Sequence, residues 1–573
     1  MSVSDVRQLI KKDLLAFLRE SFGIELPEIP LEHPAITAFG DYSTNISLTD
    51  FPLLFDSVSC HSKMAIDKNP LALAEGLKGA ISDDRKGGRR FQYLREIKVE
   101  KPGFINFYLD DLWLANWLAV INQSGEVFGS PAADVAKQRS KKKVQVECVS
   151  ANPTGPLHVG NIRGGPLGDT IANVLKKNGY LVWREYYHND VGGQVKKLGE
   201  SILHWYKKEY GVTPELPEDG YQGDYVRDLA KEVAKNFGRQ YLEGEPDKAA
   251  DVLGAIAVEK YLQTALSLCR ELGIIFDLVV KESALVTQGK TGKALDTLRQ
   301  KGTLKEDGGA WWFAPSDDFL ADRECVVIRS DGNYTYFAND IGYHLDKFGR
   351  GFETVIDVWG ANHHGHVPRM KAAMRALGLD PDKLKVILYQ WVRVRRGGEL
   401  VSMSKRKGTF VLAEDVLREV GKDAFRFFFL LKDSSTPLDF DLELMTRQSN
   451  DNPVYYVQYA HARMSNILKN YAGDLASIRQ MPSFRRLTES AELNLIRHLL
   501  KFPELVEDVG QSLAVHQLTT YAIELADLFH HFYEECRVLG SDLEKERLGL
   551  VLASKIVLKN DLDLLGVSAP ERM

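Results

Sequence analysis

The sequence predicts a multidomain α/β chain: a doubly wound parallel sheet with an insertion, a small α+β domain before it and an all-α bundle after it. Three observations predict this class. An alternating strand at 144–149 leads through a Pro/Gly-rich loop into a helix at 162–178. An apolar run at 354–359 is typical of a buried parallel strand, and 383–391 predicts a further strand. From Ala413 onward nearly every segment has helical periodicity.

Charge and cysteine content limit the class of protein. Lys and Arg total 73 against 79 Asp and Glu, so the net charge is −6 and no global basic field favours non-specific DNA binding. The five cysteines are scattered without a Cys-x-x-Cys pair, which favours a reducing compartment and argues against structural zinc. The start lacks a signal-peptide pattern, and no apolar run approaches the roughly 20 residues of a membrane span. We therefore expect a cytoplasmic protein with no DNA and no membrane partner.

Residues 1–122 predict a small α+β domain. Residues 5–22 have helical periodicity, and 95–109 predict two alternating strands around a Lys-Pro-Gly turn. Residues 123–143, rich in Gly, Ser, Ala and Lys, are the predicted linker.

Residues 144–412 are the predicted parallel-sheet domain, with a second strand at 181–187. Between about 199 and 332 the pattern changes to long helices followed by short strand-like segments, so we predict an insertion there. Residues 413–573 predict the α-helical bundle.

The loop at 150–161 carries the strongest chemical signal. It lies between a strand and a helix N-terminus, where free backbone N–H groups and the helix dipole favour a phosphate. His158 can stabilise charge that develops on the α-phosphate of ATP, and Gly160 lets adenosine approach the backbone. Alone, such a His-x-Gly turn is more often an ordinary loop.

A second, basic loop follows at 401–409. Its Lys405 can neutralise the β- and γ-phosphates of ATP during displacement. No protein nucleophile is needed when a substrate carboxylate attacks, so catalysis is positioning plus electrostatics. A basic run alone is usually a solvated surface, but the two loops together, in this order, favour a nucleotide site.

The two loops together resemble the signature pair of the class I aminoacyl-tRNA synthetases. Residues 151–161 resemble the arginyl-tRNA synthetase version of the first loop. Further segments similar to that family are 102–107, 336–344, 359–366 and 451–463. The likeness runs from about residue 5 to Met573 and covers nearly the whole chain.

This resemblance implies a Rossmann-type catalytic domain, an N-terminal domain that contacts tRNA, and an α-helical anticodon-binding domain. It implies an arginine–tRNA ligase that uses ATP with Mg²⁺ to form arginyl-adenylate, then transfers the arginyl group to the 3′ adenosine of tRNA(Arg). AMP and pyrophosphate would be released, and tRNA would have to bind before the adenylate forms. We expect a monomer without a structural metal.

Positions that match the family motifs give the expected site residues. His158 and Lys405 are the expected catalytic residues. The expected ATP-binding set is Leu157, His158, Gly160, Asn161, Gly360, His363, Met403, Ser404 and Lys405. The expected arginine-binding set is Glu147, Ser150, Asn152, His158, Tyr336 and Asp340. The expected tRNA-binding set is Tyr455, Tyr459 and Arg463, since unstacked bases pack on aromatic rings and guanidinium groups.

Within the arginine set, Ser150 and Asn152 should hold the α-groups of the amino acid. Glu147, Tyr336 and Asp340 should face its guanidinium, a planar five-donor cation that favours carboxylates and a flat ring. Two positions depart from the family pattern. Asn161 stands where a second His is usual, and Ser402 and Arg406 replace the usual Lys and last Ser of the second loop.

Two alternatives stay open from the sequence. One is a class I synthetase for another amino acid; the missing zinc-spaced cysteines disfavour the cysteine enzyme, and the arginine-type block disfavours the glutamate enzyme. The other is a tRNA-binding paralogue without catalysis, which the retained His158, Gly160 and Lys405 disfavour.

Overall fold

The computed structural model describes residues 5–61, 67–212, 214–315, 324–401 and 411–573, without the side chains of residues 37 and 59–61. Met403, Ser404 and Lys405 of the predicted site lie outside the described residues.

The N-terminal region is an α+β unit. Its helices α1 to α6 are Val6–Phe22, Ile46–Thr49, Phe51–His61, Pro70–Lys86, Asp111–Ser124 and Ala133–Arg139. Its strands β1 to β3 are Tyr42–Thr44, Leu94–Glu100 and Phe104–Leu109, and they form an antiparallel sheet of order β1-β3-β2. The predicted first helix and the predicted hairpin are confirmed, whereas α6 lies inside the stretch predicted as a linker.

The central region contains one fully parallel sheet. Strands β4 to β11 are Lys143–Glu147, Leu181–His188, Leu278–Lys281, Leu304–Asp307, Ala310–Phe313, Cys325–Ile328, Thr354–Gly360 and Leu384–Tyr389. Helices α7 to α15 are Val159–Ile162, Gly164–Lys177, Gly193–Glu209, Asp224–Phe237, Pro246–Glu271, Glu282–Thr287, Lys290–Gln300, Tyr336–Gly349 and His366–Leu377. The parallel sheet has the order β11-β10-β4-β5-β6. This confirms the doubly wound prediction, and the strand order reverses between β4 and β10, where open α/β sheets bind ligands.

The predicted insertion is less separate from this sheet than the sequence suggested. Helices α9, α10 and α11 share an apolar core of their own, and β7, β8 and β9 form a small antiparallel sheet. Between these two parts, however, β6 pairs in parallel with β5 at the edge of the main sheet. We did not predict β6, because four residues are too few to stand out among helical patterns.

Helix α11 is the one described helix that is long and apolar enough, by length and composition, to cross a membrane, and half of its most apolar window is buried inside the protein. It packs against α9, as a core helix does.

The C-terminal region is mainly helical. Helices α16 to α23 are Ala413–Leu430, Leu442–Thr446, Pro453–Lys469, Leu475–Arg479, Ser490–Leu500, Phe502–Ser512, His516–Glu535 and Glu544–Leu565. Strands β12 to β14 are Val392–Arg396, Glu399–Leu400 and Leu438–Asp441, and β14 pairs in parallel with β12. The region after Ala413 thus contains this one short described strand in addition to the predicted helices. One continuous apolar core joins this bundle to the N-terminal unit and to the main sheet.

Candidate active site

A cleft of about 660 Å³ opens at the carboxyl ends of β4 and β10. Ten of the predicted residues line it: Glu147, Ser150, Asn152, His158, Gly160, Asn161, Tyr336, Asp340, Gly360 and His363. Leu157 does not line it. Its side chain is buried, and its carbonyl oxygen accepts the N–H of Ala413, so it anchors the loop to α16.

The chain turns into the cleft through a strained segment directly after β4. Val149 and Ser150 have φ values of 68° and 39°, in the left-handed region that residues other than glycine rarely adopt. The Ser150 hydroxyl oxygen accepts the N–H of Tyr187 at 3.0 Å, so β5 holds the turn. This conformation directs the following residues, including Asn152, along the cleft wall.

His158 caps the N-terminus of α7. Its Nδ1 accepts the N–H of Gly160 at 3.1 Å, so the neutral ring carries its hydrogen on Nε2 and can donate it to an anion. A Cβ atom on Gly160 would lie 3.1 Å from the His158 ring. A larger residue there would crowd the imidazole, which adds to the predicted reason for glycine, the approach of adenosine.

Asp340 and Glu147 form one side of the cleft, and both are buried. Asp340 Oδ2 accepts a hydrogen bond from His366 Nε2 at 2.7 Å, and Glu147 Oε2 accepts one from Lys347 Nζ at 2.6 Å. Tyr336, which is 45% exposed, lies next to Asp340. The negative charge of Asp340 is the main cause that raises the pKa of Tyr336, and partial desolvation of the hydroxyl end of this half-exposed side chain adds to it, so the hydroxyl remains a donor at neutral pH.

A third carboxylate, Glu282, lies beside this group and was not predicted. It is the first residue of α12, is buried, and accepts a hydrogen bond from the Asn339 amide. Burial raises the pKa of Glu282 to about 7; the Asn339 hydrogen bond opposes the rise and the nearby Asp340 charge adds to it. The signal for Glu282 is its position at the carboxyl end of β6, which the missed strand concealed.

The opposite side of the cleft follows β10. A Cβ atom on Gly360 would lie 2.7 Å from the Asn362 amide oxygen, so glycine leaves room for the Asn362 side chain beside His363. Burial, with a contribution from His366, lowers the pKa of His363, so the ring is neutral at pH 7. The Tyr389 hydroxyl donates to the Asn161 carbonyl oxygen at 3.4 Å and ties this side to the His158 loop.

Among the described residues, no group of three or more His, Cys, Asp or Glu side chains is placed to hold a metal. Cys148 is buried in contact with the helix that follows the loop.

Two tyrosines from the insertion, Tyr221 and Tyr225, also line the cleft. A Cβ atom on Gly155 would lie 2.9 Å from the Tyr225 ring, so the ring packs closely on this glycine. The insertion therefore packs directly on the loop at 150–161. No local sequence pattern predicts this contact, because the two residues come from distant segments.

The predicted tRNA-binding residues share one face of α18. The rings of Tyr455 and Tyr459 are parallel at 6.3 Å, and the Arg463 guanidinium lies 5.5 Å from the Tyr459 ring. Arg463 also lies 4.7 Å from the Tyr533 ring and donates to His530 Nδ1 at 3.1 Å. Burial and the Arg463 charge lower the pKa of His530, so it accepts as a neutral ring. Tyr533 and His530 were not predicted.

The sequence matches three family models: the arginyl tRNA synthetase N terminal domain over 4–109, the catalytic domain of tRNA synthetases class I (R) over 130–435, and the DALR anticodon binding domain over 457–573. The arginine–tRNA ligase of Desulforudis audaxviator is 43% identical over 556 residues, covering 96% of this chain and 94% of that protein. That of Geobacillus kaustophilus is 41% identical over 560 residues, covering 96% and 95%. The arginyl-tRNA synthetase of Thermus thermophilus, 23% identical, has the same fold with a TM-score of 0.73 over 99% of this chain and 100% of that one. With its parallel sheet, its nucleotide-type cleft and its helical bundle, the chain belongs to the arginyl-tRNA synthetase family of class I.

Proposed function

We propose that the cleft binds arginine and ATP side by side and that its buried carboxylates select the arginine. As a member of its family the chain is an arginine–tRNA ligase. In the first step ATP activates arginine as arginyl-adenylate and pyrophosphate is released. In the second step the 3′ adenosine of tRNA takes the arginyl group and AMP is released.

One observation carries the arginine assignment. Three carboxylates, two that line one end of the cleft and Glu282 beside them, each accept a hydrogen bond from a neighbouring side chain: Glu147 from Lys347, Asp340 from His366 and Glu282 from Asn339. These bonds fix the carboxylates before the substrate arrives. A guanidinium keeps its charge near neutral pH and donates five N–H groups in a plane, so it fits several oriented carboxylates better than any neutral side chain does. Tyr336 and Tyr187 add flat rings beside them.

The reaction centre would lie between this end and the ATP. We assign Ser150 and Asn152 to the α-amino and carboxylate groups of arginine, from their place on the loop after β4. An oxygen of that carboxylate attacks the α-phosphorus, and the bond from phosphorus to the bridging oxygen of pyrophosphate breaks. The carboxylate is already ionised, so the step needs no general base. The Nε2 hydrogen of His158 would stabilise the negative charge that develops on the α-phosphate.

The ATP assignments follow the loop geometry. Gly160, Asn161, Gly360 and His363 would border the adenosine, while Leu157 acts through its anchor to α16. ATP would enter as its Mg²⁺ complex, with the ion held chiefly by phosphate oxygens. We assign Lys405 to the β- and γ-phosphates and Met403 and Ser404 to the same loop's contacts with ATP.

The bundle would bind the other substrate. Tyr455, Tyr459 and Arg463 offer two rings and a guanidinium on one face, which is the chemistry that unstacked anticodon bases require. We propose tRNA(Arg) as the partner, with the chain working as a monomer in the cytoplasm.

The test is to charge total tRNA with each amino acid in turn and to measure ATP–pyrophosphate exchange with and without tRNA. We expect charging with arginine alone, discrimination against citrulline, and exchange that is nearly absent until tRNA is added. Efficient charging with another amino acid would refute the carboxylate assignment, and robust exchange without tRNA would refute the tRNA requirement.

A further inference from the structure

Beneath the cleft, Lys347 forms the centre of a buried cluster of charges. Its ammonium group donates to Glu147 Oε2 at 2.6 Å and to Asp357 Oδ1 at 2.7 Å, and it lies 4.3 Å from the centre of the Tyr343 ring. The Lys347 side chain has no exposed surface. A buried lysine held by two carboxylates and a ring is unusual, because burial of each charge is unfavourable unless its partners are in place.

His344 completes the cluster. Its Nδ1 faces the Asp340 carbonyl oxygen at 2.8 Å, and its Nε2 faces Asp357 Oδ2 at 2.8 Å. The ring is thus fixed between the backbone of α14 and the Asp357 carboxylate. Lys347 binds both Glu147 and Asp357, whereas His344 binds Asp357 alone of the two.

The two carboxylates depend on Lys347 to different degrees. Asp357 contacts both groups: despite burial, Lys347 and His344 lower its pKa to about 2. Within the described part of the chain, Glu147 accepts a side-chain hydrogen bond from Lys347 alone, and burial raises its pKa, with Lys347 as the largest opposing influence. Removal of the lysine charge would therefore affect Glu147, which lines the cleft, more than Asp357, which does not.

We propose that Lys347 is a positioning residue for arginine: it keeps Glu147 ionised and oriented so that the second oxygen of Glu147 meets the substrate cation. Lys347 touches no substrate itself. The proposal rests on the arginine-binding role proposed above for Glu147 and adds the device that maintains its charge.

Other groups also face Glu147. They are Asp357 on β10, His344, Tyr343 and Tyr336 on α14, and Tyr187 on β5. The three tyrosines have raised pKa values and stay neutral, and His344 is paired with Asp357. Among these described groups, Lys347 is the cation that binds Glu147 directly.

The test is the pH profile of the KM for arginine in Lys347→Met, measured from pH 6.5 to 9 at saturating ATP and tRNA. Without the lysine charge, Glu147 binds a proton at neutral pH and cannot pair with a cation. We expect a KM about 30-fold or more above wild type at pH 7 that falls toward wild type as the pH rises. The KM for ATP should stay within about twofold. Lys347→Arg, which keeps the charge, should show a profile parallel to wild type.

Two comparisons make the outcome decisive. Glu147→Gln should have a raised KM for arginine at every pH; a normal KM in that variant would overturn the role of Glu147 and this proposal with it. A raised KM in Glu147→Gln combined with a flat profile in Lys347→Met, either unchanged or raised equally at all pH values, would overturn the role of Lys347 alone. Should Lys347→Met lose its cooperative thermal unfolding, Lys347→Gln, which still donates a hydrogen bond, replaces it with the same expected profile.

Discussion

Asp357 beneath the cleft and Asp561 in the helical bundle both have no exposed surface, yet they are in opposite states. Asp357 meets Lys347 and His344, which hold its pKa at about 2, so it is ionised. Asp561 has no hydrogen-bond partner for either carboxylate oxygen among the described residues, and burial raises its pKa well above the usual value. The same side chain at the same depth is thus a charge in one region and a neutral acid in the other.

The difference shows that partners, and not depth, decide whether a buried group is charged. The carboxylates at the cleft are ionised because Lys347 lies against Glu147 and Asp357. The negative charge of Glu147 is then available to a cationic substrate. The bundle provides no such partner for Asp561 among the described residues, and it offers rings at its surface, such as Tyr459, which is 37% exposed. Substitutions in the cleft should therefore have large electrostatic effects, whereas substitutions on the bundle face should have smaller, stacking effects.

The sharpest test of this contrast is Asp340→Asn, which keeps the shape of the side chain and removes its charge. Loss of one partner of a buried ion pair costs roughly 2–5 kcal/mol, or about 30- to several-thousand-fold in affinity. The KM for arginine should rise by that factor while the KM for ATP changes little. Citrulline, the neutral isostere of arginine, should be disfavoured less by this variant than by the wild type.

Asp346→Asn is the matched control, because Asp346 lies on the same helix but pairs with Lys290 and Arg350 rather than lining the cleft. It should leave the KM for arginine near the wild-type value. An Asp340→Asn variant that binds arginine within twofold of wild type would move recognition to Glu147 and Glu282.

Lys405→Ala tests the ATP end of the cleft. Loss of one charge that acts on the transition state typically reduces the rate by about 100- to 1,000-fold. Single-turnover adenylate formation in the presence of tRNA should slow by that factor, with arginine binding nearly intact. Lys407→Ala, in the same loop, is the control. Equal losses in both variants would indicate a general effect of the basic loop, and a near wild-type rate in Lys405→Ala would reject its assignment.

Most of the sheet could be predicted because its strands carry local patterns. The alternating or apolar runs of β4, β5 and β10 are long enough to be recognised as strands from the sequence. By contrast β6 and β14 have four residues each, and only their pairing with distant strands makes them part of a sheet. Their pairing depends on tertiary structure, so sequence periodicity did not reveal it.

The candidate site divides in the same way. Tyr336 and Asp340 are four residues apart on α14, and positions 343, 344 and 347 follow on the same helical face, so a polar face of this helix could be predicted. Which carboxylates that face meets could not, because Glu147 and Asp357 come from two other strands. The contact of Tyr225 with Gly155 likewise exists only in the folded chain.

Tyr459→Ala tests the bundle face, where the expected effect is smaller. A base stacked on one aromatic side chain contributes about 1–3 kcal/mol, or roughly 5- to 150-fold in affinity. The KM for tRNA should rise within that range and the KM for arginine should not change. Tyr459→Phe, which keeps the ring, should behave as wild type. If the alanine variant charges tRNA normally, and anticodon-swapped tRNAs equally well, the face is structural only.

Asp561→Asn, which should leave arginine charging unchanged, tests the comparison through stability and pH. An unfolded aspartate releases its proton near pH 4, about 3.9, whereas folded Asp561 keeps it to a higher pH. Below about pH 4, both the folded and the unfolded state are protonated and Asp561 adds no pH dependence. As the pH rises above about 4, only the unfolded state releases the proton. The wild type then loses stability relative to the variant by up to about 1.4 kcal/mol for each pH unit. The thermal unfolding midpoint of the variant should therefore match wild type near pH 4 and exceed it as the pH rises above that value. Asp357 should behave oppositely: its folded pKa is lowered to about 2, so its contribution is present at neutral pH and is lost as the pH falls from about 4 toward 2. A midpoint difference for Asp561→Asn that does not vary with pH would mean that Asp561 is ionised in the bundle, and the contrast between the two regions would fail.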